Sequence, residues 1–149
     1  MTQIEVRKFD ELTTRELHDI LKLRNEVFVV EQECSYLDID GNDCVSTHIF
    51  MKEDENIVAC CRVLPEGVTF PEVAIGRVVT GISYRHKGYA RALMQRAIEY
   101  AIETMHVNVI MLSAQVYLTE FYKSLGFYVV SEIYLEDNIP HNDMRYTKT

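Results

Sequence analysis

The sequence predicts an α/β fold in which helices cover a mixed sheet. Along the 149 residues, segments with strand-like and helix-like periodicity follow one another in the order β, α, β, β, β, α, β, α, β, β. Helices placed between strands and a hairpin in the first half together indicate parallel and antiparallel pairing in one sheet. Because 48% of the residues are hydrophobic and no linker or repeat interrupts the chain, residues 1–149 are expected to form a single domain.

The first half of the chain is expected to contain four strands and one helix. Thr13 and Glu16 have the spacing of a capping box, which is typical of a helix start. The acidic turn at 53–56 separates two apolar runs and predicts a hairpin. The expected elements are a strand at 3–9, a helix at roughly 14–30, a turn-rich loop at 31–45, and strands near 46–52, 57–64 and 73–79.

The second half is expected to contain two helices and three strands. From about Gly88 onward, apolar residues recur at helical spacing through Met105, which predicts a long amphipathic helix. A shorter helix carries Leu118 and Leu125 and ends at Gly126, the residue type favoured for a left-handed C-cap. Strands are expected at 107–112, 127–134 and 144–147.

Composition excludes several classes of function. The 15 basic and 23 acidic residues give a net charge of −8, so nucleic acid is not an expected partner, because it requires a basic face. No apolar run approaches the roughly 20 residues that span a bilayer, and the first residues do not have the pattern of a secretion signal. We therefore expect a cytoplasmic protein that does not bind membranes.

The four cysteines lack the paired spacing of a zinc site, and no metal is expected. Cys34, Cys44 and His48 are the only grouping that resembles a ligand set, and a closed zinc site needs four ligands.

A local basic cluster stands out in this acidic chain. Residues 85–91 place Arg85, Lys87 and Arg91 around Gly88 at the start of the long helix. The amino end of a helix offers free N–H groups and the positive end of the helix dipole, which suits a phosphate. The alternative is a solvated helix start without a ligand, because a short motif alone is weak evidence.

Two motifs in the chain resemble the Gcn5-related N-acetyltransferases (GNAT). Arg85-x-x-Gly88-x-Ala90, after the strand that ends Val78-Val79-Thr80, is similar to the family's R/Q-x-x-G-x-G/A motif. Phe121-Tyr122-x-x-x-Gly126-Phe127 is similar to its second signature. Residues 24–32, 38–41 and 139–141 resemble the narrower ElaA-like branch of small bacterial proteins.

The resemblance implies the GNAT fold, a mixed and mostly antiparallel sheet of six to seven strands flanked by three to four helices. It also implies acetyl-CoA as co-substrate and a sheet that opens between the strands at 73–80 and 108–114. By the same resemblance, the cofactor-binding residues are Val78, Val79, Thr80, Arg85, His86, Lys87, Gly88, Tyr89, Ala90, Arg91, Tyr117 and Phe121. A homodimer is compatible with this family.

The chemistry of acyl transfer assigns roles to further residues. The resemblance implies that Tyr122 is the general acid for the departing thiolate and that a backbone N–H near Val79 stabilises the oxyanion. A protonated amine also needs a base, and His141, which follows a proline, is one candidate. The other candidates for the base are Glu31, Asp38, Asp40, His48 and Glu136.

The acceptor is expected to be a small-molecule amine or a peptide amine. Residues 31–47 and 124–144 contain nine carboxylates and neither Lys nor Arg, which predicts an acidic mouth that attracts a cation. The alternative is an ordinary acidic surface. Residues expected at the substrate are Arg24, Glu31, Asp40, His48 and Gln115. For Arg24 and Gln115, the alternative is a buried polar group that stabilises loop 31–45.

The sequence therefore predicts an N-acetyltransferase that acts by direct transfer through a tetrahedral intermediate. A route through Cys34 or Cys44 lacks an activating base beside either thiol. The main alternative is a CoA-binding sensor or interaction module without transferase activity.

Overall fold

The computed structural model describes residues 2–149 and contains one eight-stranded sheet with three α-helices. The strands are β1 (Thr2–Lys8), β2 (Thr47–Glu53), β3 (Asn56–Leu64), β4 (Val73–Thr80), β5 (Val109–Gln115), β6 (Tyr128–Val129), β7 (Tyr134–Glu136) and β8 (Ile139–Thr147). The helices are α1 (Thr14–Arg24), α2 (Tyr89–Glu103) and α3 (Thr119–Ser124). None of the helices in residues 2–149 is long and apolar enough to cross a membrane.

The sheet is mixed, as the sequence predicts, with strand order β1-β2-β3-β4-β5-β8-β6 and β7 also paired to β8. Only β4 and β5 are parallel. The segment expected as one strand at 127–134 forms the two short strands β6 and β7, so the sheet has eight strands rather than six to seven. The strand expected at 144–147 begins at Ile139, because pairing with β5 and β7 overrides the weak strand preference of Pro140, Asn142 and Asp143.

Consecutive residues on the central strands point to opposite faces of the sheet. Ile49 and Cys61 belong to the larger core, which includes buried residues of α2, whereas their neighbours Phe50 and Cys60 pack with α1. The apolar stripe of α2 is buried, as its periodicity predicts. The sheet is thus covered by α2 on one face and by α1 on the other.

Local signals in the sequence fix several element ends. In the capping box, the Glu16 amide donates to Thr13 Oγ1 at 3.0 Å and the Thr13 amide donates to Glu16 Oε1 at 2.9 Å. Gly126 follows α3 with φ +105°, as expected for a C-cap. The helix expected over 14–30 is regular only to Arg24. It continues as a wider π-helical segment, Asn25–Glu31.

β4 and β5 separate shortly after they meet. They pair only at Val73–Ile110 and Ala74–Met111. The register of β4 against β3 shifts between Cys60 and Arg62, where Arg77 has a left-handed φ of +51°. A bulge of this kind removes residues from the regular ladder and bends the strand, which contributes to the opening between β4 and β5.

Candidate active site

A cavity of about 870 Å³ lies in the opening between β4 and β5. Residues of β4 and β5 that follow the pair Ala74–Met111 line the cavity. Loop 31–45 and residues 134–143 of the β7–β8 hairpin contribute further side chains. The cavity brings together twelve of the residues that the sequence assigned to the site. These are Asp40, Val78, Val79, Thr80, Arg85, His86, Ala90, Gln115, Tyr117, Phe121, Tyr122 and His141.

The turn before α2 presents backbone groups beside this cavity. His86 and Gly88 have left-handed φ values of +65° and +78°, and the first turn of α2 contains no acidic residue. A Cβ added at Gly88 would meet no atom within 4 Å, so the backbone there is open to close approach. Such a turn suits an anionic group, since N–H groups and the helix dipole point the same way.

The basic side chains of the turn are held by neighbours. Lys87 Nζ lies 5.5 Å from the centre of the Tyr84 ring and 6.0 Å from that of Tyr89. Arg91 stacks over Phe121 at 5.5 Å and donates to Ser124 Oγ at 2.6 Å. The turn is thereby connected to α3, which carries the second motif.

Arg85 and Glu31 form a forked ion pair. Nη1 and Nη2 of Arg85 donate to Glu31 Oε2 and Oε1 at 2.7 and 2.6 Å, and these hydrogen bonds lower the pKa of Glu31. Glu31 does not line the cavity, so the expected contact with the acceptor is replaced by a contact with Arg85 of the turn before α2. It is also a poor candidate for the base, because its proton affinity is reduced.

Tyr122 is 5% exposed and lies at the inner wall of the cavity. Its ring packs edge-on against Phe121 at 5.2 Å and Phe127 at 6.1 Å. No hydrogen bond joins its hydroxyl to any group of residues 2–149. Burial raises the pKa of Tyr122 far above the ordinary value, so the phenol stays protonated and its O–H is free to donate into the cavity.

Loop 31–45 is held by two buried arginines, Arg24 and Arg62, and by the partly buried Arg77. The sequence linked only Arg24 to this loop, as the alternative to a substrate contact. Arg24 donates to Asp38 Oδ2 at 3.0 Å and to Asp43 Oδ1 at 2.7 Å. Arg62 Nη2 donates to Asp40 Oδ2 at 2.6 Å. The complete network consists of Arg24, Arg62, Arg77, Asp38, Asp40 and Asp43.

This network corrects two expectations from the sequence. Arg24 is 1% exposed and does not line the cavity, which agrees with the alternative that it stabilises the loop. Asp40 does line the cavity, but its charge is matched by Arg62 and Arg77. Loop 31–45 therefore does not provide its half of the acidic mouth, because strands β3 and β4 supply the cations that the loop itself lacks.

Asp40 makes the stability of the fold depend on pH. The hydrogen bond from Arg62 holds the pKa of Asp40 well below its usual range. Its contribution is therefore complete above the unfolded pKa of about 3.9 and is lost as the pH falls toward the lower folded value. We expect Asp40→Asn to destabilise the fold by about 2 kcal/mol at pH 7 and by much less at pH 3. Urea unfolding at both pH values checks this, and equal losses at both would contradict it.

His48 also lies outside the cavity. It is 1% exposed on β2, its Nε2 bonds the Asp43 carbonyl at 2.9 Å, and burial lowers its pKa. The expected contact with the substrate is corrected to a structural contact with loop 31–45. On β3, Arg62 is opposite His48 and Val63 is opposite Thr47, and these residues are buried as well.

His141 and Gln115 are directly opposite each other on β8 and β5. Gln115 exchanges hydrogen bonds of 3.4 Å with Gln32. His141 is 7% exposed and lines the cavity. Its Nδ1 lies 2.6 Å from the Ile139 carbonyl, which only accepts. A proton is therefore on Nδ1, and Nε2 is the nitrogen that can accept a further proton.

Four residues near His141 join the site. Ser113 and Tyr134 were not predicted from the sequence, whereas Glu136 and Asp143 belong to the predicted acidic mouth and Glu136 was also a candidate for the base. Tyr134 OH donates to Asp143 Oδ1 at 2.6 Å and lies 2.5 Å from Ser113 Oγ. Glu136 Oε2 lies 3.5 Å from His141 Nε2. In the sequence, only the two acids could be recognised, because they belong to the acidic stretch at 124–144.

The cysteines do not form a ligand set. Cys60 and Cys61 are buried, and Cys34 and Cys44 are not disulfide-bonded. Within residues 2–149, no group of three or more His, Cys, Asp or Glu side chains is arranged to hold a metal ion.

Comparisons with known proteins agree with this geometry. Residues 14–127 match the acetyltransferase (GNAT) family. A UPF0039 protein of Schizosaccharomyces pombe is 40% identical over 139 residues, which cover 92% of this chain and 91% of that protein. The chain superposes with a TM-score of 0.93 on a crystal structure described as an acyl-CoA N-acyltransferase from Pseudomonas aeruginosa, at 38% identity and 99% and 100% coverage. Escherichia coli ElaA gives a TM-score of 0.92 at 35% identity, with 98% and 99% coverage.

Proposed function

The chain belongs to the acetyltransferase (GNAT) family, in the group that contains ElaA and the UPF0039 proteins, and from this premise we propose that it transfers an acetyl group from acetyl-CoA to a primary amine. The observation that carries the proposal is a single cavity that joins a phosphate-compatible turn to a buried, protonated tyrosine. We place this activity in the cytoplasm, where the four free thiols remain reduced.

The cofactor lies along β4 in this proposal. Backbone groups of Val78, Val79 and Thr80 pair with the pantetheine arm as an added strand would, because β5 has moved away from this part of β4. The amides of residues 86–91 hold the pyrophosphate, with Arg85 beside them. Lys87, Tyr89, Tyr117 and Phe121 complete the surroundings of the cofactor.

The acetyl group passes directly from the sulfur of CoA to the amine nitrogen, without an acyl-enzyme intermediate. Nε2 of His141 takes one proton from the incoming ammonium group and later releases it to solvent. The neutral amine nitrogen attacks the thioester carbonyl carbon, and a second proton leaves this nitrogen for solvent as the tetrahedral intermediate collapses to the amide.

The oxyanion accepts a hydrogen bond from a β4 backbone N–H next to the bulge at Arg77. The expected donor, the Val79 amide, is directed to β3 instead, because Val79 is opposite Cys60 in the ladder in which the Gly81 amide donates to the Val58 carbonyl. As the C–S bond breaks, the thiolate receives a proton from the Tyr122 hydroxyl, which regains one from solvent.

The raised pKa of Tyr122 is compatible with this step. Burial raises the pKa of the adjacent Cys61 thiol for the same reason, the cost of placing a negative charge among apolar groups. A CoA thiolate released into these surroundings is therefore also a stronger base than in water. The pKa values of the donor, the Tyr122 phenol, and of the acceptor, the CoA thiol, therefore rise in the same direction.

A ligand titration tests the proposal. The melting temperature should rise with acetyl-CoA and with CoA but not with ATP, because a ligand that binds only the folded state stabilises it. An amine-dependent release of CoA then separates a transferase from a silent CoA-binding module. Binding without release under an amine panel would favour the module, and no shift with either CoA species would refute the cofactor site.

Gly88→Leu tests the turn itself. The side chain would enter the open space at the turn and should weaken CoA binding by tenfold or more, and a left-handed φ costs a non-glycine residue about 1–2 kcal/mol of stability. Calorimetry with CoA measures the affinity. Gly67→Leu is the matched control, since Gly67 has φ +80° and open space around its Cα but lies in the connection between β3 and β4, outside the turn at 85–91. Equal CoA affinity in both variants would contradict the assignment.

A further inference from the structure

We propose, building on the proposed function, that the acceptor is an amine that carries a second positive charge, and that Glu136 and Asp143 recognise this charge. The two carboxylates belong to a polar wall formed by β5, β7 and β8 at the acceptor end of the cavity. The members of this wall are Ser113, Tyr134, Glu136, Asp137, His141 and Asp143.

The topology places this wall on one face of the sheet. Ser113 is opposite Asp143 and Tyr134 is opposite His141 in the strand ladders. Leu112 and Ala114 belong to the core on the α2 face. The alternating residue Ser113 and its neighbours across the strands therefore face the side of α1 and loop 31–45.

The charge of the wall is not matched by the protein. Across residues 2–149, no Lys or Arg nitrogen lies within 4 Å of a carboxylate oxygen of Glu136, Asp137 or Asp143. The one ionisable partner is His141, whose Nε2 lies 3.5 Å from Glu136 Oε2 and carries a charge only when this nitrogen is protonated. The acids of loop 31–45 are different, because Arg24, Arg62 and Arg77 match them.

The reacting amine cannot supply the missing charge. It must be neutral when it attacks, and the proton that it gives up resides on His141. His141 is more than nine-tenths buried and its Nε2 faces the cavity side of Glu136. At most one positive charge then faces three carboxylates, so a second cationic group on the acceptor would lower the electrostatic energy of the complex.

The rest of the acceptor end suits an alkyl chain between two charged ends. Leu64, Phe70 and Ile139 line the cavity next to the polar wall. Apolar side chains of this kind bury methylene groups, whereas the carboxylates fix the orientation of the ligand.

Three probes with a five-carbon chain test the inference. At the end away from the reacting amine, 1,5-diaminopentane carries an ammonium group, pentylamine a methyl group and 5-aminopentanoate a carboxylate. Their dissociation constants are measured by calorimetry with and without CoA, and kcat/KM is measured with acetyl-CoA. We expect the diamine to bind roughly tenfold more tightly than pentylamine at low ionic strength, with 5-aminopentanoate weakest. Added salt should reduce this ratio.

Glu136→Gln and Asp143→Asn should each bring the diamine and pentylamine affinities closer together. Glu132→Gln removes the same charge from an exposed residue outside the cavity lining and should leave the ratio unchanged. Equal binding of the diamine and pentylamine would overturn the inference, as would a preference that survives both cavity variants. Because binding is measured directly, these outcomes are distinct from a failure of the proposed function, which is a failure to bind CoA or to release it with any amine.

Discussion

Tyr122→Phe lowers kcat by about 100-fold in the outcome we expect, with little change in KM for acetyl-CoA. A positioned general acid typically contributes a factor of about 10² to 10⁴, and the phenylalanine retains the ring that lines the cavity. The effect should appear in kcat because the proton is needed only as the C–S bond breaks. Steady-state kinetics with acetyl-CoA and an accepted amine measure it.

The same substitution should not reduce stability. The Tyr122 hydroxyl makes no hydrogen bond within residues 2–149, and its ring keeps the packing against Phe121 and Phe127. The hydroxyl faces the cavity, so its removal breaks no hydrogen bond within the described residues and leaves no buried partner unpaired. The variant is therefore expected to melt at the wild-type temperature.

Tyr100→Phe is the matched control for this prediction. Tyr100 is 8% exposed on α2 and its hydroxyl is hydrogen-bonded to the Thr47 hydroxyl at 3.1 Å, away from the cavity. Its loss should cost about 1 kcal/mol of stability and leave kcat unchanged. If Tyr122→Phe retained the wild-type kcat, Tyr122 would be removed as the acid.

The fold could be predicted largely from sequence because its main signals are local. The apolar stripe of α2, the capping box at Thr13 and the turn at Asp54 each depend on a few neighbouring residues. The end of the chain was less predictable. β8 is held by its ladder with β5 across about 30 residues of sequence, and that pairing makes a strand of residues with weak strand preference.

The candidate site also has one part that depends on neighbouring residues and one part that depends on residues distant in sequence. The turn at 85–91 is a local backbone motif, and three of its residues, Arg85, His86 and Ala90, line the cavity. The acceptor end depends on side chains from distant strands. The acids of loop 31–45 were expected to form half of an acidic mouth because no cation lies near them in the sequence. Their partners Arg62 and Arg77 are 22 and 37 residues from Asp40 along the chain. A useful signal was present, since an arginine within an apolar strand needs a buried carboxylate partner.

Arg24→Met should destabilise the fold by about 3–5 kcal/mol, because it leaves buried carboxylates without their main cation. The Arg24 guanidinium makes three hydrogen bonds, to the Asp38 carboxylate, the Asp43 carboxylate and the Asp38 carbonyl, at 2.7 to 3.0 Å. Methionine fills a similar volume but replaces none of them. Urea unfolding at pH 7 measures the loss.

Two further variants test whether the lost stability comes from the hydrogen bonds of the buried Arg24 guanidinium. Arg24→Lys keeps the charge but cannot reach three acceptors with one ammonium, so it should lose about half as much stability. Lys22→Met removes a cation from the same helix, where its pair with Glu26 is solvent-exposed at 3.6 Å, and should cost less than about 0.5 kcal/mol. A loss below about 1 kcal/mol for Arg24→Met would mean that Arg62 and Arg77 hold loop 31–45 without it. The loop would then be positioned for the acceptor by β3 and β4 alone.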